Sequence, residues 1–223
     1  IVISFIIPAH NSEKFLKRCV ESVVKEEKQP KDNNLAEVII IENGSSDHTK
    51  QIGTALAEKY ENVFLICSEK GVSNARNAGV KAAHGEWIFF LDADDYLPAG
   101  TLQKLLDTVN SGKAADLYIF SYEKGNAIVN VATGENADGY EGTGVRECLA
   151  GMLRNPTRCM AVWGKLFRHS IIQQSSLDFN KKLSLAEDSD FLIRYIIKCG
   201  RIIFFTGILL SLFYGCRFCN ADI

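Results

Sequence analysis

The sequence predicts an α/β fold, a mostly parallel central sheet flanked by helices in a single domain, on three observations. Short runs of β-branched and other apolar residues, such as Ile1–Ile7 and Val38–Ile41, have the pattern of strands buried on both faces. They alternate with segments whose apolar residues recur at helical spacing, with about 20 to 25 residues from strand to strand, as right-handed βαβ units require. The polar segments Pro8–Asn11, Glu42–Asp47 and Asp92–Asp95 each follow a strand directly, and parallel sheets bind ligands beyond the carboxyl ends of their strands.

After the strand Ile1–Ile7, a helical stripe of Phe15, Leu16, Cys19, Val20, Val23 and Val24 follows, with Asn11 or Ser12 as its cap. The strand Val38–Ile41 ends in Glu42-Asn43-Gly44-Ser45-Ser46-Asp47, turn chemistry that opens a helix running to Lys59. Val63–Cys67 reads as the third strand, Ser73–Ala83 as a short helix closed near Gly85, and Glu86–Leu91 as the fourth strand. Past Pro98 come a helix at Thr101–Val109, a strand at Leu117–Tyr122 and a glycine-rich hairpin or long loop over 125–144. Helices are expected near Val145–Leu153 and from Glu187 to Cys199, the latter with Phe191, Leu192, Tyr195 and Ile196 on one face. The apolar stretch Ile202–Tyr214 contains Gly207 and falls short of the roughly 20 residues of a spanning helix, so it reads as two strands.

Lys plus Arg number 25 against 27 Asp plus Glu, a net charge of −2, which removes the general attraction to phosphate backbones and argues against a nucleic-acid partner. The 7 cysteines are odd in number and mostly lie in apolar runs, which suits reduced thiols packed as small hydrophobes. Cys216 and Cys219 form a C-x-x-C without the second pair or histidines a zinc site needs. No basic leader precedes the first apolar run, so Asn43-Gly44-Ser45 reads as a chance match to a glycosylation acceptor.

Three segments carry chemistry. Leu91-Asp92-Ala93-Asp94-Asp95 crowds three carboxylates at a strand end, where each close pair repels by up to about 4 kcal/mol at intermediate dielectric. A solvated acidic turn would tolerate this; a Mg²⁺ or Mn²⁺ ion bridging a diphosphate would relieve it. Gly71–Gly79 suits a small-residue helix packed tightly on the sheet, yet Arg76 is a guanidinium among Ala and Gly, fit for a phosphate or a carboxylate. Glu187-Asp188-Ser189-Asp190 opens a helix, where acidic residues also serve the helix dipole.

Taken in order with Ser4–Asn11 and Trp163-Gly164-Lys165-Leu166-Phe167, these segments resemble glycosyltransferase family two, inverting enzymes with the GT-A fold. The resemblance is dense over residues 1–100 and thinner beyond. It implies a nucleotide-sugar-binding half at 1–115 and an acceptor-binding half at 116–223. Pro8, Ala9, His10 and Asn11 would line the nucleobase pocket, Glu42, Asn43 and Ser45 would hold base and ribose, and Asn74, Arg76, Asp92 and Ala93 would contact the donor. Asp92, Asp94 and Asp95 would hold Mg²⁺ or Mn²⁺; Asp188 would be the catalytic base with Glu187 beside it; Trp163 and Lys165 would face the acceptor. The family usually has two consecutive Asp where this chain has Glu42-Asn43; an Asn carbonyl can still accept from a pyrimidine N3–H.

The implied reaction is metal-dependent transfer of a sugar from a nucleotide-diphospho-sugar to a hydroxyl of a saccharide or lipid-linked saccharide. The implied setting is bacterial polysaccharide assembly, in the cytoplasm or at the inner membrane face. Two alternatives stand beside it: a nucleotidyltransferase, which would want a glycine-rich basic loop after the first strand, and a non-catalytic nucleotide-sugar-binding module or scaffold. A dinucleotide-binding dehydrogenase is excluded because no G-x-G-x-x-G follows that strand.

Overall fold

The structure is a computed structural model that describes residues 1–25, 35–124, 127–131 and 139–212, with only the backbone of 124 and 206–212. The first half alternates as expected: β1 (Ile3–Ala9), α1 (Leu16–Val24), β2 (Ala36–Glu42), α2 (Thr49–Lys59), β3 (Val63–Cys67), α3 (Val72–Ala82) and β4 (Trp87–Phe90). These four strands pair in parallel in the order β3-β2-β1-β4. Every residue of β2 is buried, as a strand covered by helices on both sides must be.

Which helix covers which face follows from two glycines. Gly53 of α2 packs on Ile40 and Leu65, whereas Gly79 of α3 packs on Ile6 and Ile41. Ile40 and Ile41 are consecutive in β2 and point to opposite faces. So α2 and α3 lie on opposite sides, and the order reverses between β1 and β4, which opens a crevice at their carboxyl ends. The small residues of Gly71–Gly79 serve this close packing. A Cβ on Gly79 would overlap the Ile6 Cγ2 methyl, and Ile6 is fully buried. Gly79→Ala is therefore expected to cost about 1–3 kcal/mol, read by urea denaturation, with no change in the denaturant slope. A variant as stable as the parent would show that α3 can lift off the sheet freely.

Beyond β4 come α4 (Thr101–Asn110), β5 (Leu117–Lys124), β6 (Ala127–Val129), β7 (Tyr140–Glu141), α5 (Gly144–Leu153), α6 (Pro156–Cys159), β8 (Lys165–Arg168), α7 (His169–Gln174), α8 (Glu187–Ile196) and β9 (Arg201–Leu212). The sheet continues β4-β8-β5-β9-β7, with β8 antiparallel to both β4 and β5, and β9 parallel to β5. Two expectations are corrected, those on the stretch after Ile202 and on the cap of α1. The stretch beginning at Ile202 is one strand through Leu212, because Gly207 falls at a register shift between Phe205 and Ile208, a bulge rather than a break. Residues 213–223, including Cys216 and Cys219, lie outside the described residues. Neither Asn11 nor Ser12 caps α1 by its side chain; instead the Ser12 carbonyl accepts the N–H groups of Phe15 and Leu16. Lys165–Arg168 is a central strand, and α6 and α7 were not foreseen. No helix among the described residues is long and apolar enough to cross a membrane.

One continuous core fills the space between sheet and helices, from Ile6 and Ile40 to Phe191 and Tyr195. Cys19, Cys148, Cys159 and Cys199 are buried in it as free thiols, and Cys67 is exposed. An aromatic cluster lies under the crevice. Phe90 meets Phe167, Phe179 and Phe191 edge-on, and Phe179 stacks on Phe191 at 4.1 Å.

Candidate active site

The loops after β1 and β2 are laced together. Ala9 accepts the Asn43 N–H, His10 Nδ1 lies 2.9 Å from the Asn43 carbonyl, and Asn11 donates its N–H to Ser45 Oγ. In return Ser46 donates its N–H to Asn11 Oδ1 at 2.9 Å. Asn11 has a left-handed backbone, φ 50°, which Asn tolerates better than most residues. Glu42 is buried and accepts the Ser45 N–H at 2.6 Å. Burial pushes its carboxyl up, but the Ser45 and Gly44 donors outweigh that and hold it below the usual carboxylate value.

Asn43 departs from expectation. Its Oδ1, expected toward a nucleobase, accepts the Gly71 N–H at 2.8 Å and so ties the β2 loop to the start of α3. Gly71 has φ 126°, a conformation that favours glycine, so this entry into α3 is built on that residue. Asn43 is also buried, at 5% exposure.

The acidic segment after β4 divides. Asp92 and Asp94 are half-buried, whereas Asp95 is buried, with its N–H on the Asp92 carbonyl. Two unforeseen contacts shape this turn. Arg18 of α1 donates to the Asp94 carbonyl at 2.7 Å and lies over the Tyr96 ring, and Cys19 Sγ meets the Asp92 carbonyl. Among the described residues, no three His, Cys, Asp or Glu side chains gather into a metal site.

The centre of the crevice is Arg76, 4% exposed. Expected at the donor, it instead clasps carboxylates from two distant segments: Asp188 Oδ1 at 2.5 Å, Glu187 Oε1 at 3.3 Å and Asp92 Oδ1 at 3.6 Å. Its guanidinium also lies 5.3 Å from the Phe179 ring centroid. Phe179 is pinned in turn by Asn77, whose amide accepts the Phe179 N–H and donates to its carbonyl. Phe179 had no signal in the sequence, and although Arg76, Asp92, Glu187 and Asp188 were each singled out there, nothing in it paired them. The Arg76 Nε is buried without a hydrogen-bond partner. Asn74, also expected at the donor, donates to the Lys70 carbonyl while its Oδ1 is buried without a partner.

Glu187 and Asp188 occupy the first turn of α8, and Ala186 before them has a left-handed backbone, φ 63°. That conformation is strained for alanine, and it turns the chain so that both carboxylates face Arg76. Asp188 Oδ2 accepts the Val162 N–H at 3.2 Å. Burial raises the Asp188 carboxyl above its usual value, with Arg76 opposing, and the same holds for Asp92. Asp188 keeps 20% of its side chain exposed, so a substrate can reach it.

The two residues expected at the acceptor differ in placement. Trp163 packs edge-on against Tyr122 at 4.6 Å and stays partly exposed. Lys165 is 3% exposed and directs its ammonium to the Ala161 carbonyl at 2.6 Å, so it does not line open space. Burial lowers it to about 8.

The chain is similar to several proteins named as glycosyltransferases. The poly(ribitol-phosphate) beta-glucosyltransferase of Bacillus spizizenii is 28% identical over 206 residues, 90% of this chain and 30% of that protein. EpsH of Bacillus subtilis, named as a glycosyltransferase, is 29% identical over 201 residues, 86% of this chain and 55% of its own length. This chain thus spans about half or less of these relatives. The crystal structure of S. aureus TarS 1-349 in complex with UDP superposes with a TM-score of 0.77 at 23% identity, over 95% of this chain and 60% of that one, which establishes the GT-A fold. Residues 4–173, from the first strand through the aspartate turn to β8 and α7, match the family described as glycosyl transferase family 2, and the chain belongs to that family.

Proposed function

We propose that this chain is the catalytic unit of an inverting, metal-dependent glycosyltransferase that moves a sugar from a nucleotide-diphospho-sugar to a hydroxyl of a saccharide or polyol acceptor. The observation that carries the reading is the convergence of Asp188, Glu187, Arg76 and Asp92 at the carboxyl ends of the parallel strands, beside the laced loops after β1 and β2. Polymer assembly is supported by the relative named for poly(ribitol-phosphate), and a uridine donor by the neighbour that binds UDP.

A divalent cation fits the aspartate turn in one mode. Asp95 faces inward and no three-ligand cluster exists among the described residues, which disfavours an all-protein cage. Asp92 and Asp94 remain half-buried, and Mg²⁺ or Mn²⁺ is ordinarily held by one or two carboxylates with substrate phosphates completing the shell. Bound there, the ion would neutralise charge on the departing diphosphate. The chain's own part is proton transfer. Asp188 takes the proton of the acceptor hydroxyl as its oxygen bonds to the anomeric carbon and the bond to the diphosphate breaks. Arg76 and the Val162 N–H each hold one Asp188 oxygen, and each oxygen keeps a lone pair for the substrate. The raised carboxyl brings its basicity closer to working pH.

The test is a thermal-shift titration with UDP, with and without Mn²⁺, on the parent and on Asp94→Asn, followed by assays for sugar release and transfer. At 100 times its dissociation constant UDP adds about 2.7 kcal/mol, which is readily seen. Asp94→Asn is expected to lose most of the Mn²⁺-dependent part of that gain. Equal gains in parent and variant would remove the cation from this turn. UDP binding without release of sugar from any donor would leave a binding module in place of an enzyme.

A further inference from the structure

We propose that Lys165 is a positioning residue for the base Asp188, acting through a single peptide plane, a role that rests on the glycosyltransferase reading above. The Ala161 carbonyl and the Val162 N–H are the two ends of one peptide unit. Lys165 Nζ donates to its oxygen at 2.6 Å, and Asp188 Oδ2 accepts from its nitrogen at 3.2 Å. Peptide bonds are rigid and planar, so fixing the oxygen end fixes the direction of the N–H. Charge sits at both ends of the chain, an ammonium on the carbonyl and a carboxylate on the N–H. Such bonds are stronger than neutral ones, and linked bonds polarise one another.

A buried ammonium on a central strand also calls for an explanation. Lys165 sits on β8 opposite Ile119 of β5, and no carboxylate lies in direct ion-pair contact with it among the described residues. The acidic groups near enough to act on it are Cys159 and Asp188. Burial raises the Cys159 thiol, which keeps it protonated and neutral. Asp188 is then the negative charge that Lys165 answers, and the peptide between them is the link. Arg76 holds the other Asp188 oxygen, so the carboxylate is fixed from two sides by two cations, one directly and one through the backbone. The left-handed backbone of Gly164, φ 69°, and the Phe120 N–H on the Gly164 carbonyl anchor the turn 161–164 against β5.

The test uses the chain carrying Lys165→Met or Lys165→Arg, with three readouts. These are the Val162 amide resonance by ¹H–¹⁵N spectroscopy, turnover in hydrolysis of a panel of UDP-, GDP- and dTDP-hexoses, and UDP affinity by calorimetry. Lys165→Met is expected to move the Val162 amide in the direction that Asp188→Asn moves it in the parent. It should lower kcat by about 10- to 100-fold with UDP affinity within twofold. Lys165→Arg, which keeps the charge, should recover part of that loss. Asp188→Asn added to Lys165→Met should cost less than it does in the parent, because the two act as one unit. An unmoved Val162 amide, or a kcat loss matched by an equal loss of UDP affinity, overturns the proposal. Should the Met variant fail to fold, Lys165→Gln carries the same readouts. If the parent hydrolyses no donor in the panel, the glycosyltransferase reading is what fails, and the amide resonance still decides whether Lys165 positions Asp188.

Discussion

Asp188→Asn is expected to cut sugar transfer by about 10²–10⁴-fold, a loss of about 3–5 kcal/mol of transition-state stabilisation, while nucleotide affinity stays within about twofold. An acceptor hydroxyl is a weak nucleophile near neutral pH and needs a carboxylate to take its proton as it attacks. Asn keeps the shape of the side chain and can still accept from Arg76 or from the Val162 N–H, so the crevice is retained. What it loses is the lone basic function. Glu187 is not an equal substitute: it meets Arg76 at 3.3 Å against 2.5 Å for Asp188, and among the described residues no backbone N–H donates to it. Folding stability should fall, though less than in Arg76→Met, since Arg76 keeps Glu187 and Asp92 and the carboxylate that is lost is one that burial disfavours. Single-turnover rates at saturating donor and acceptor decide the matter. A variant that transfers sugar at near-parental rate would move the base elsewhere, Glu187 being the first place to look.

How much of this could be read beforehand depended on whether the signal was local. Val38–Ile41, Val63–Cys67 and the stripe on α8 were legible because periodicity and β-branching act over a few residues, and the structure keeps those elements with end shifts of up to three positions. Lys165–Arg168 was not legible as a strand. It is four residues long with a charge at each end, and it is a strand only because β4 and β5 flank it. Gly207 misled for the same reason: a glycine in an apolar run reads as a break, and only pairing with β5 turns it into a bulge.

The site divides in the same way. Polar loops after parallel strands marked its position, because the topology sends every such loop to one edge. Its wiring was hidden. Two of the partners of Arg76, Glu187 and Asp188, lie 111 and 112 residues away, and the ring beneath it is Phe179, which stands in no motif. Asn43 shows that side chains compete for roles. Its carbonyl could meet a base, but the nearer claim is the Gly71 N–H that would otherwise stay unpaired at the start of α3.

Arg76→Met is expected to destabilise the fold by about 3–5 kcal/mol, because breaking a buried ionic cluster from one side leaves charges without compensation. Arg76 is the guanidinium that faces Asp188, Glu187 and Asp92, and Met matches its length without its charge. Arg76→Lys should recover only part of the loss. An ammonium is a point charge and cannot span carboxylates with the fork that reaches Asp188 on one nitrogen and Asp92 on another while its carbon lies over the Phe179 ring. Urea denaturation of parent, Met and Lys variants measures the order. The same proteins separate two roles for this residue. If Arg76 mainly clasps the carboxylates, UDP affinity of the folded Lys variant stays near parental while transfer falls, since Asp188 is no longer held. If Arg76 mainly meets the donor, as the family resemblance implies, UDP affinity falls as far as the transfer rate does. The geometry favours the clasp, because two of the guanidinium's nitrogens already face carboxylates and only the buried Nε lacks a partner. A donor would then approach a positive charge that is largely neutralised, and its phosphates would need the cation at Asp92 and Asp94 all the more.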